Sequence, residues 1–97
     1  MRRKEYERLA LEEAERAYAL NPAKGEIGIA FGRLLMADRQ VERGLGVYRK
    51  VVEDERRFLL LQREMFGSGR RLTGRLSDEV MEELEIALRA GEKGTTD

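Results

Sequence analysis

The stretch ALEEAERAYALNPAKGEIGIAFGRLLMADRQVERGLGVYRKVVE, residues 10–53, decides how this chain folds. Small and large apolar groups alternate along it at helical spacing: Ala10, Ala14 and Ala17, then Phe31, Gly32 and Leu35, then Gly44, Tyr48 and Val51. Its one proline, Pro22, follows Asn21. Proline lacks the amide donor a helix interior needs and biases the residue before it away from helical angles, so a helix ends there. The stretch reads as a helix ending, a short turn and two further helices. Gly32 and Gly44 let two helix backbones approach closely, and Tyr48 fills the space beside them.

Working outward, about five helical segments follow from periodicity, and the fold class is all-α. The first spans Arg3 to Leu20, with Tyr6, Leu9, Ala10, Ala14, Ala17 and Leu20 as its apolar face. The second, Gly25 to Ala37, is apolar nearly all round, with Arg33 the main exception, so it needs cover on more than one side. The third begins near Gln40 and carries Val41, Leu45, Tyr48, Val51 and Val52. Between Val47 and Phe66 there is neither glycine nor proline, and Leu45, Val52, Leu59 and Phe66 recur every seven residues. One helix from Val41 to Phe66 would span ~39 Å. A break between Asp54 and Arg57 would instead give separate third and fourth helices. The pattern favours continuity and leaves both arrangements open.

Gly67-Ser68-Gly69 ends this element. Ser77 is a suitable N-cap for a last helix, with Asp78 and Glu79 in its first turn. That helix is apolar at Val80, Met81, Leu84, Ala87 and Leu88, and Gly91 marks its expected stop. Residues 1–91 are expected to form one helical domain and residues 92–97 a flexible tail.

Composition narrows the function classes. Ninety-seven residues suit a single modest core. Hydrophobic residues make up 41% of the chain, too many for a disordered tail, while the 39% that are charged cancel to zero net charge and coat a large helical surface. There is no cysteine, hence no disulfide framework or thiolate chemistry, and no histidine, the commonest general base and metal ligand. The basic start Arg2-Arg3-Lys4 leads into charged residues, unlike a secretory signal. The longest apolar run, Phe58 to Leu61, falls far short of the ~20 residues that cross a bilayer. The expectation is a cytoplasmic protein with no membrane association, no cofactor and no metal.

Phe31-Gly32 and Phe66-Gly67 recur 35 residues apart, a period of helix-turn-helix solenoids. With Ala10, Ala14, Ala17 and Pro22 read as the end of one unit, and Phe31, Gly32, Leu35, Gly44, Tyr48 and Val51 as the next, the chain resembles the tetratricopeptide repeat family over Ala10 to Glu53. The resemblance implies antiparallel hairpins in a stack; the alternative is a small helical bundle with one long central helix, Val41 to Phe66. Gly28 stands where the family usually has a large aromatic, Arg39 occupies a turn where glycine is common, and Arg56 replaces the closing proline.

The resemblance also implies where a partner would lie, against the first helices of successive units: Glu26, Ile29, Arg33 and Met36, then Glu64 and Ser68. Only Arg33 is cationic there, so a mixed apolar and arginine groove for a peptide helix or strand fits better than a site for a terminal carboxylate. Ile29 and Met36 also have a plain reading as core. A second candidate is Gly67 to Arg75, GSGRRLTGR, whose Arg70, Arg71 and Arg75 could hold phosphate through charge and forked hydrogen bonds. Its glycines do not match a phosphate-binding loop, which needs a lysine followed by serine or threonine. The acids, including Glu53, Asp54 and Glu55, lie among arginines and lysines, where solvation and i,i+4 pairing explain them.

These readings point to a non-catalytic protein–protein interaction module, an adaptor or assembly subunit binding a peptide or partner helix. Self-association as a homo-oligomer through Tyr6, Leu9, Leu84 and Leu88 is a further expectation. The alternative is a small nucleic-acid-associated helical protein, such as a phage packaging or regulatory subunit, meeting phosphate through Gly67 to Arg75.

Overall fold

The computed structural model describes residues 2–67, 69 and 74–95, the last three by backbone alone. Among these residues there are four helices and no strand: α1, Arg3–Leu20; α2, Gly25–Ala37; α3, Val41–Phe66; and α4, Asp78–Thr95. The expected count of about five is corrected at α3, which runs unbroken for 26 residues. At the expected break Glu55 is buried on the inner face of the helix. Lys50 Nζ lies 3.0 Å from Asp54 Oδ2 one turn away. With arginine rather than proline at position 56, no backbone donor is lost and the helix has no reason to end.

The turns follow from local chemistry. At the end of α2 the Gln40 N–H donates to Leu35 O at 2.9 Å and the Arg39 N–H to Met36 O at 3.1 Å. This pair of bonds is a Schellman closure, which requires a left-handed residue just past the helix. Arg39 fills that position with φ 65°, at a cost of about 1 kcal/mol relative to glycine. At the start of α4, Val80 N–H donates to Ser77 Oγ at 3.2 Å, so Ser77 is the cap expected of it. Gly91 does not stop α4, which continues to Thr95. A Cβ there would run into Leu45 Cδ1, so the glycine serves instead to bring α4 against α3.

Backbone packing follows chain order, α1 on α2, α2 on α3 and α3 on α4. The α2–α3 contact is built on missing side chains. A Cβ on Gly32 would strike the ring of Tyr48, and one on Gly44 would lie 3.2 Å from Gly32 O and 2.8 Å from Met36 Sδ. A Cβ on Gly28 would lie 2.6 Å from Val51 Cγ2. Ile29, Leu45, Tyr48, Val51, Val52 and Leu84 form the central cluster, and α4 contributes Val80, Met81, Ala87 and Leu88 around it. Phe31 and Leu35 are also buried, Phe31 with its ring centroid 5.2 Å from that of Tyr18.

Helix α1 contributes no buried residue. Its inward stripe is Ala10, Leu11, Ala14, Ala17 and Tyr18, whereas Tyr6, Leu9 and Leu20, expected on that face, are exposed. At 13 residues, α2 is shorter than the 18-residue α1 and cannot cover it end to end.

Gly32→Ala is expected to lower stability by about 2–3 kcal/mol, because the new methyl displaces the Tyr48 ring from a packed core. Gly46→Ala, on the same helix pair but with nothing within 4 Å of the added carbon, is expected to raise stability by about 0.5–1 kcal/mol through helix propensity. Urea denaturation of the two variants checks both signs.

Candidate partner-binding surface

The residues proposed from the sequence as a binding face separate into three places. Glu26, Ile29 and Arg33 line a groove of about 290 Å³ closed on its other side by Leu76, Ser77 and Val80. Ile29 is the floor of this groove and not a free side chain, being 7% exposed. Arg33 Nη2 donates to both carboxylate oxygens of Glu83 at 3.2 Å, so a side-chain bridge joins this side of α2 to α4. Both partners are more than half exposed, and the pair contributes about 0–1 kcal/mol.

Met36 belongs to a different cleft, about 400 Å³ in volume, where the end of α2 and the start of α3 face α4. Val41, Leu45, Ala87, Ala90 and Gly91 complete its apolar wall, and Glu42 stands at its edge. Ala87, Ala90 and Gly91 fall at helical spacing, so α4 presents a shallow trough with little side chain in it. Glu64 is exposed near the far end of α3 and lines neither cavity. Ser68, Arg70 and Arg71 lie outside the described residues.

Arg75, a candidate phosphate contact, is engaged within the chain as a structural clamp. Its Nε donates to Glu55 Oε1 at 3.1 Å, its Nη2 to Asp54 O at 3.3 Å, and its guanidinium stands 4.4 Å from the ring centroid of Phe58. Glu55 in turn accepts the Leu76 N–H at 2.6 Å through Oε2. A carboxylate only 2% exposed needs such partners to offset its lost hydration. Gly74 permits the approach, since a Cβ there would sit 2.8 Å from Glu55 Oε2. The chain returning from α3 to α4 is thus tied to α3 at this point.

The reading of Glu55 as a solvated acid is therefore overturned. A signal for its burial was present: Tyr48, Val51, Val52, Glu55 and Phe58 share one helical stripe. An acid on an apolar stripe requires a partner brought from elsewhere in the chain, and that partner is 20 residues away. Lys50 and Asp54 pair at i,i+4 as expected, whereas Glu15 with Arg43 at 3.1 Å and Glu85 with Arg56 at 2.8 Å pair between helices instead. Among the described residues no group of three or more His, Cys, Asp or Glu side chains is disposed to hold a metal ion. No helix among them is long and apolar enough to cross a membrane.

The terminal-helix contact surface also changes. Leu84 is 2% exposed in the core and Leu88 is packed against it, leaving Tyr6 and Leu9 of that set on the surface. Burial holds the Tyr48 phenol above its usual pKa, with nearby Arg33 opposing that shift and Glu83 adding to it.

Glu55→Ala is expected to cost about 2–3 kcal/mol, and Glu55→Gln, which keeps an acceptor for the Leu76 N–H, roughly half as much; chemical denaturation at neutral pH measures the difference. Tyr48 stays protonated in the folded chain to higher pH than in the unfolded one. Its contribution is complete below the unfolded value near ~10 and is lost as pH climbs past it towards the folded value. Stability followed from pH 8 to ~11 is expected to fall less steeply in Tyr48→Phe than in the parent chain.

Comparison with protein-family models, with curated proteins and with solved structures gives no significant match to this chain.

Proposed function

We propose that this chain is a non-catalytic protein–protein interaction module, an adaptor or assembly subunit, that takes a peptide or partner helix. The observation that carries this reading is the apolar cleft between Met36, Val41, Ala87, Ala90 and Gly91. Val41 is 43% exposed at its rim, and the small residues of α4 leave room for side chains from an incoming helix. A tetratricopeptide-like relationship belongs to the same proposal. Its support is the backbone approach at Gly32 and Gly44 and the left-handed turn at Arg39, where that family commonly has glycine. A cytoplasmic setting is likewise proposed, on the cysteine-free composition.

The nucleic-acid reading has less support. Arg75 is engaged with Glu55 and Phe58, and Arg3, Arg33, Arg43 and Arg56 each face an acid.

Selection of a displayed peptide library on the full chain tests the proposal. Binders are expected to carry apolar residues at helical spacing. Val41→Glu and Ala90→Glu, both at exposed positions, are expected to weaken them by more than about tenfold, a loss of ~1.4 kcal/mol, at unchanged Tm. An empty selection, or binders indifferent to both substitutions, would sink the reading.

A further inference from the structure

Helix α3 outruns the elements packed against it. The clamp at Glu55 ties residues 75 and 76 to α3, and eleven residues of the helix follow it, ending at Phe66, a length of ~17 Å. On this extension Leu61 is 50% and Met65 74% exposed. With Phe58, half-buried under Arg75, they lie at i, i+3 and i+7, a single seam continuing the row that begins with Val51 in the core.

Arg57 and Glu64 flank that seam on one side, each directly preceding a seam residue. Neither makes an ion pair or side-chain hydrogen bond among the described residues. Seven residues separate them, ~10 Å along the helix, too far to pair within one chain. They are opposite in sign and set almost symmetrically about Leu61. That arrangement is complementary to itself when reversed.

We propose that the exposed end of α3 pairs with the same segment of a second copy of this chain, antiparallel, crossing near Leu61. Arg57 of each copy then stands beside Glu64 of the other, giving two equivalent ion pairs around a two-fold axis. Leu61 and Met65 of both copies are withdrawn from water between them. A parallel pair would set Arg57 near Arg57 and Glu64 near Glu64, so the charges select the direction. About three turns from each copy fall short of the ~1,200 Å² of a stable interface, which makes this a weak dimer of micromolar affinity. The surface is separate from the cleft at Met36 and Val41, so either role can fail without the other.

Sedimentation velocity on the full chain, from about 5 to 500 μM at low and moderate salt, tests the pairing. The parent chain is expected to pass from monomer to dimer within that range, more weakly as salt rises. Leu61→Glu with Met65→Glu is expected to remain monomeric throughout. Arg57→Glu alone and Glu64→Arg alone are each expected to weaken association by about tenfold, and the two together to recover it to within about threefold. These two positions are exposed, so the charge variants stay informative if the apolar pair disturbs folding, which Tm reports. A parent chain monomeric at the highest concentration overturns the proposal. So does a dimer unmoved by the apolar pair, or reversals that fail to compensate.

Discussion

The close approach of α2 to α3 is the constraint on which the rest of the structure depends. At Gly32 and Gly44 the two helices meet backbone to backbone, and the space of the missing side chains is taken by Tyr48 and Met36. A chain of 97 residues has little apolar surface to bury, so contact density matters more than core volume. Gly28 extends the same solution by admitting Val51. Once α2 and α3 are fixed this way, one side of the pair is left for α1 and another for α4.

Helix α4 reaches its place by a different kind of interaction. Its apolar face fits the cluster around Leu84, but the connector before it is secured by a buried carboxylate that binds both a guanidinium and a backbone N–H. An apolar residue at position 55 could fill the volume but could not specify where the returning strand of chain lands. Buried polar contacts are geometric as well as energetic, because only one register satisfies every donor and acceptor. Glu55 thereby fixes where residues 75 and 76 meet α3, just ahead of the start of α4.

Much of this was legible in the residues. The bounds of α1 and α2, the cap at Ser77 and the pairing of Gly32 with Gly44 follow from proline placement, periodicity and side-chain size, while periodicity favours the continuity of α3 without deciding it. The failures share a cause in long-range contact. Gly91 reads as a helix stop until Leu45 is known to press on it, and Arg75 reads as a free cation until Glu55 is found beneath it. The candidate face of α2 reads as one surface, yet Ile29 is the floor of a groove and Met36 lines a different cleft, since nothing local says that α4 packs nearby. Tyr6 reads as inward by spacing, but the length of the neighbouring helix decides what is covered, and Leu20 lies off the covered stripe of α1.

The lopsided attachment of α1 has a consequence for how the molecule comes apart. It buries no residue fully and rests its backbone on α2 alone, while the other three helices share one cluster. Amide protons in α1 should therefore exchange through a partial opening that leaves the remaining helices intact, giving the chain two tiers of protection in place of one cooperative melt. The N-terminal rod is in that sense a passenger on a three-helix chassis, and the face of α2 beneath it, centred on Phe31, is the surface such an opening would bare.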